Sequence, residues 1–164
     1  MVVSHVVRSW TAFQYYVLPV LMYCSPAWNP VAIGKINLIE KVQRRYTKRI
    51  GELRHLSYND RLRSLGVLSL RDRRSYADMV YIYKALHGLV NFPSADMGLI
   101  PASSTTRGLS NRLRQRRITT RADGALFCCR APAMWNRLPA KITSCTSLKT
   151  FKQHLFNYFM SFYD

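Results

Sequence analysis

Residues 36–50 read INLIEKVQRRYTKRI, and the fold class turns on this stretch. At 3.6 residues per turn, Ile36, Ile39, Val42, Tyr46 and Ile50 share one face, while Lys41, Arg44, Arg45 and Lys48 share the other. Such a helix packs on its oily side and shows cations on the opposite one. The pattern predicts a helix over residues 32–49, with Gly51 placed to end it.

Upstream, residues 10–28 are strongly apolar, and a buried helix is predicted over residues 6–23. Gln14, Pro19, Ser25 and Pro26 interrupt the stretch too often for a membrane span. The first seven residues carry no Lys or Arg, which argues against a signal peptide. Pro26 and Pro30 break the chain, and Trp28 between them is the expected core anchor.

Downstream, Ser57 with Asp60 and Ser69 with Asp72 read as capping boxes. The first opens a short helix carrying Leu62 and Leu65, stopped by Gly66. The second opens a longer one reaching about Leu89, with the stripe Tyr76, Met79, Val80, Tyr83, Leu86, His87 and Val90. Pro, Gly, Ser and Thr then dominate to about residue 111. Asp123-Gly124 is a turn signal for a small hairpin. Ser147 is placed to cap a last helix with the stripe Leu148, Phe151, Leu155, Tyr158, Phe159 and Phe162. The expected fold is mainly α. A helical bundle occupies residues 1–92 and a linker residues 93–111, and a small basic subdomain with minor β content occupies residues 112–164.

The chain carries 25 Lys and Arg against 8 Asp and Glu, a net charge of +17, which is more than solubility needs. Arginine predominates, and its planar fork suits phosphate. Nucleic acid is therefore the leading partner, ahead of an anionic membrane surface. A hydrophobic content of 48% supports a folded core, so the chain is not a disordered basic tail. Cys24, Cys128, Cys129 and Cys145 form no CxxC pair and meet no His at zinc-finger spacing. They are read as reduced thiols of an intracellular protein that holds no metal.

The motifs follow an order of their own. Residues 19–28 read PVLMYCSPAW, residues 40–49 EKVQRRYTKR, and residues 53–70 LRHLSYNDRLRSLGVLSL. Then come Arg73-Arg74, YKALHG at 83–88, TRG at 106–108, WNRLP at 135–139 and SLKTFKQHL at 147–155. In this succession the chain resembles the C-terminal tail of reverse transcriptases of non-LTR retrotransposons, of the jockey and chicken-repeat kind. The resemblance implies a thumb-like helical bundle that follows a polymerase palm and grips an RNA template paired with a DNA primer. It also implies a fragment, because the fingers and the palm would precede Met1. The chain by itself is then no enzyme. Mg2+ would belong to the missing palm alone, and the parent ribonucleoprotein would occupy cytoplasm and nucleus.

Catalytic residues are not expected here. Tyr76-Ala77-Asp78-Met79 echoes the Tyr-x-Asp-Asp signature of palms, but Met79 stands where a second carboxylate is required. Helical spacing instead pairs Asp78 with Arg74 on a helix surface. The remaining acids are scattered, and Glu40 sits among bases. His87 falls on an apolar stripe as a structural histidine, and no Cys–His pair can be recognised from spacing.

The first binding candidates are Lys41, Arg44, Arg45 and Lys48, with Arg49 near the seam. The second are Arg112, Arg114, Arg116, Arg117 and Arg121, in a run expected to order on nucleic acid. Arg71, Arg73 and Arg74 extend the first patch or pair with Asp72 and Asp78. Tyr58 and Tyr81 are candidates to stack on bases, whereas Trp135 and Phe151 belong to the core. The competing readings are a remnant that binds nothing and a membrane-surface protein docked through residues 10–28.

Overall fold

The first backbone N–H groups of a helix have no partner within it, and at the longest helix here side chains from distant parts of the chain supply them. The computed structural model describes residues 10–91, 99–100, 112–120 and 123–163, which are mainly helical and contain no sheet. A π-helical turn, Phe13–Val17, leads into α1, Leu18–Met22. Pro19 accounts for the loosened turn, because it has no N–H to return to the carbonyl four residues back. Cys24 takes a left-handed conformation (φ 49°), and α2, Ser25–Trp28, starts in a new direction. Trp28 is not the expected core anchor. It is 41% exposed, and its indole N–H closes on the Tyr23 carbonyl at 2.6 Å across that turn.

Next come α3, Ile33–Lys48, α4, Tyr58–Leu65, and α5, Leu70–Leu86. Both serine caps form: Ser57 Oγ accepts from Asp60 N at 3.2 Å, and Ser69 Oγ from Asp72 N at 3.0 Å. Gly66 ends α4 at φ 61°, where a side chain would be strained. The chain ends in α6, Phe127–Trp135, α7, Ala140–Thr143, α8, Leu148–Met160, and a 3-10 turn, Ser161–Tyr163. Ser147 is the N-cap residue of α8, but its side chain makes no cap hydrogen bond. Phe162 is exposed and leaves the expected stripe.

α5 is the hub, packing against α2, α3, α6 and α8. Its Tyr83 ring stacks between His87 at 3.9 Å and Phe151 at 4.3 Å, and Trp135 lies against Phe151. Phe13, Met79, Ile82, Trp135, Phe151 and Leu155 belong to one hydrophobic cluster. Residues from both of the expected units, 1–92 and 112–164, thus feed a common core.

The expected apolar face of α3 packs in part: Ile39 and Tyr46 lie against the core and Ile50 just beyond the helix is buried, but the helix is rotated toward a polar flank. Glu40, Gln43 and Thr47 are buried, whereas Val42 is exposed. Each of these three side chains has a distant partner, although Gln43 Oε1 itself meets none. Gln43 Nε2 donates to Leu68 O at 3.0 Å, and Thr47 Oγ1 accepts from Arg61 Nε at 3.1 Å. Glu40 accepts from Leu70 N at 3.1 Å and Arg71 N at 3.0 Å, and also from the Tyr58 hydroxyl. The Tyr163 hydroxyl accepts from Ser69 N at 2.8 Å and donates to Asp72. With Ser69 Oγ on Asp72 N, the four N–H donors from Ser69 to Asp72 are all met. A carboxylate here also faces the positive end of the helix dipole. The Tyr58 and Tyr163 phenols are pushed above their ordinary pKa, by burial first and then by Glu40 and Asp72 respectively.

The expected hairpin at Asp123-Gly124 is absent among the described residues. Asp123–Ala125 is a 3-10 turn, and Leu113 contributes an isolated bridge. Asp123 Oδ2 accepts from Thr119 Oγ1 at 2.7 Å and Thr120 N at 2.8 Å, which closes a local loop instead. Those bonds lower the pKa of its carboxyl to about 2.

Replacing Glu40 tests this architecture. Glu40→Ala strands two backbone donors and a phenol, and should cost about 2–4 kcal/mol in urea unfolding. Ser69→Ala removes one cap and should cost about 1 kcal/mol. Equal effects would deny Glu40 its role.

Candidate nucleic-acid interface

Because Glu40, Gln43 and Thr47 turn inward, the outer flank of α3 carries Lys41, Arg44, Arg45 and Lys48, all exposed. Helical geometry spreads them over an arc of about 100° and about 10 Å of axis, the reach of roughly three phosphates along one strand. Among the described residues the ion pairs are Arg63–Asp60 and Arg130–Asp78, so no carboxylate neutralises these cations. Glu40, the acid nearest in sequence, is committed to the N-terminus of α5.

Arg44 is held in place, its guanidinium 4.9 Å from the centre of the Tyr58 ring. Arg61 lies 5.5 Å from the same ring. Tyr58 therefore does not stand free to stack on bases: cations engage its ring and Glu40 its hydroxyl. Tyr81 is engaged as well, edge-on to Phe127 at 5.5 Å.

Beyond α3 the chain tightens into a 3-10 turn, Gly51–Leu53. The turn brings Arg54 back toward the helix. Arg45, Lys48, Arg49, Gly51 and Arg54 line a concavity of about 540 Å³, and no carboxylate among the described residues lines it. Helical spacing alone misses Arg54, which lies outside the helix; α3 is already capped at Arg49, and the signal available is Gly51, which opens the 3-10 turn three residues before Arg54. The carbonyl end of α3 favours cations by about 0.3–1 kcal/mol each, which accounts for bases in its last turn but not for Arg54.

Arg112, Arg114, Arg116 and Arg117 are exposed on an extended segment. That segment is pinned rather than loose. Leu113 is buried, and its N–H and C=O bond the Asn136 amide at 2.9 and 2.8 Å. Arg114 N donates to Ile100 O at 2.7 Å, and Arg116 reaches Cys128 Sγ at 3.6 Å. Arg121 lies outside the described residues. Among the described residues, no hydrogen bond or ring contact joins this strap to the α3 cations.

The third group divides. Arg71 is exposed, Arg73 is half-buried and Arg74 is fully buried. Arg74 donates from Nε to Asn29 Oδ1 at 3.0 Å, and its guanidinium lies 5.9 Å from the Trp28 ring. Burial lowers the pKa of Arg73 and Arg74, and Arg74 is withdrawn from any surface patch.

The expected surface pair Arg74–Asp78 does not form. Asp78 is also buried, and its partner is Arg130 of α6, at 2.9 Å from Nε and 3.1 Å from Nη2. Asn29 and the Pro26 carbonyl complete the cluster. The pair ties α2, α5 and α6, a long-range arrangement that i, i+4 spacing cannot reveal. Burial raises the pKa of the Asp78 carboxyl despite Arg130, Asn29 and Arg74.

Of the histidines, His87 is exposed, with Nδ1 2.9 Å from the Tyr83 carbonyl. Cys145 Sγ and His154 Nδ1 meet at 3.5 Å, a pairing that spacing did not reveal. All four cysteines are free thiols. Among the described residues no group of three His, Cys, Asp or Glu could hold a metal ion, and no helix is long and apolar enough to cross a membrane. No family model, curated protein or solved structure matches the chain.

Removing Arg130 would leave Asp78 buried without its cation. Arg130→Ala should cost about 3–5 kcal/mol, and Asp78→Asn with Arg130→Met markedly less. A carboxyl whose folded pKa is raised binds its proton more readily folded than unfolded. Its contribution therefore favours folding at low pH and is lost as pH climbs through the raised value. Arg130→Ala should accordingly regain stability on acidification relative to the parent, read by thermal unfolding between about pH 7 and 4. A pH-independent deficit would contradict the buried pair.

Proposed function

We propose that this chain binds duplex nucleic acid through its phosphate backbone, without regard to sequence. We further propose that it does so as the tail of a non-LTR retrotransposon reverse transcriptase holding template–primer. The concavity of Arg45, Lys48, Arg49 and Arg54, continued along α3 by Lys41 and Arg44, carries the reading. Its cations are paired with no carboxylate among the described residues, concave in arrangement and anchored on one helix and the turn that follows it. Backbone contacts of this kind position a duplex and read no bases. Tyr58 is already engaged and does not offer its ring for stacking. The pinned strap of Arg112, Arg114, Arg116 and Arg117 supplies a second run of phosphate contacts.

The ordered motifs quoted above support the retrotransposon assignment. In that setting the fingers and palm are the chain's protein partner, the palm holds the Mg2+, and the ribonucleoprotein works in cytoplasm and nucleus. The chain itself polymerises nothing. The carboxylates of Glu40, Asp60, Asp72, Asp78 and Asp123 each accept hydrogen bonds in caps, a loop or the buried pair. Nucleotide incorporation by the purified chain would overturn this.

Fluorescence anisotropy with an RNA–DNA hybrid provides the test. Arg45→Glu with Lys48→Glu should weaken binding to all sequences alike. It should also flatten the slope of log K against log salt by about two, one for each phosphate no longer neutralised. Unchanged affinity, or a weakening confined to one sequence, would sink the reading. Feeble binding by the parent chain at physiological salt would favour the remnant instead.

A further inference from the structure

A second concavity, of about 560 Å³, lies between the 13–22 segment and α5. Its floor is apolar: Leu18, Met22, Ala77 and Val80 contribute to it. Three cations line it as well, Arg73, Lys84 and Lys152, and no carboxylate among the described residues does. None of these residues belongs to the duplex-binding face.

Charge and spacing narrow the occupant. Lys84 follows Arg73 by eleven residues on α5, so the two stand about 16 Å apart along the axis. Lys152, from α8, lines the same groove, and its carbonyl accepts from the Tyr76 hydroxyl at 3.3 Å. Arg73 is half-buried, and its Nε has no hydrogen-bond partner. An amphiphile with one anionic head could satisfy only one end of such a groove. A second copy of this chain, at +17, is repelled by it. A helix of about three turns spans the interval and offers apolar side chains to the floor with carboxylates to both ends.

We infer that this groove docks an acidic amphipathic helix of a partner protein. Its apolar stripe lies over Ala77 and Val80, and its carboxylates meet Arg73, Lys84 and Lys152. Recognition rests on the apolar stripe as much as on charge, which separates it from the general attraction of acidic molecules to a cationic chain.

The probe is a fluorescein-labelled peptide of about sixteen residues, with Leu at helical spacing and Glu on the flanks. Its control is a scrambled peptide of identical composition and charge. The full chain should bind the amphipathic peptide at least about tenfold more tightly than the scramble. Ala77→Leu fills the floor without changing charge and should erase that preference while leaving RNA–DNA affinity alone. Should Ala77→Leu misfold by circular dichroism, Lys84→Gln with Lys152→Gln serves instead and should weaken the amphipathic peptide selectively. Equal binding of both peptides would overturn the proposal. So would a preference that survives the groove variants, or displacement of the peptide by laurate alone. The duplex reading stands or falls separately, through Arg45 and Lys48.

Discussion

The carboxylate of Glu40 accepts the first two backbone N–H groups of α5 and the hydroxyl of Tyr58, and so binds three helices to one side chain. Ser69 and Tyr163 meet the neighbouring donors, so the helix at the centre of the molecule starts with no unsatisfied N–H from residue 69 to residue 72. Gln43 and Thr47 repeat the theme one and two turns along α3. Buried polar groups are costly unless partnered, so each of these bonds penalises any other rotation of the helix. Together they fix the rotation of α3 about its own axis, and with it the direction in which the cations point.

That rotation has an electrostatic consequence. The one acid within the basic stretch is drawn inward as a cap, and the bases keep the outer flank to themselves. Tyr58 serves both sides, with its hydroxyl on Glu40 and its ring beneath Arg44. Packing and surface potential are therefore coupled through a few side chains. Loss of Glu40 would disturb the fold and the orientation of the cations together.

A second buried polar cluster joins the stretches of chain on either side of residues 93–111. Arg130 reaches from α6 to Asp78 of α5 and to the Pro26 carbonyl of α2. Tyr163 does the same at the other end, where Arg63 also donates to its carbonyl at 2.7 Å. Around these ties Tyr83, Trp135 and Phe151 pack as one core. The Asp78 cluster is costly to desolvate and holds because both carboxylate oxygens find donors.

Local pattern was enough to read α3, α4, α5 and α8, the Ser57 and Ser69 caps, the Gly66 stop, the aromatic core around Trp135 and Phe151, and an outer flank of bases on α3, but not the broken, largely exposed 13–28 segment. These features are set by side chains three or four residues apart and by backbone preferences that need no distant partner. How far the buried face of α3 turns toward Glu40, Gln43 and Thr47 was settled only by folding, because these side chains bond to groups 14 to 31 residues away. Folding likewise took Asp78 from an expected neighbour to Arg130, and Tyr58 from free ring to clamped support. It also turned Asp123 into a loop closure and carried Arg54 back beside Arg45. In most of these cases a polar group takes a partner that depends on how the chain folds back on itself, and apolar periodicity carries no record of that choice.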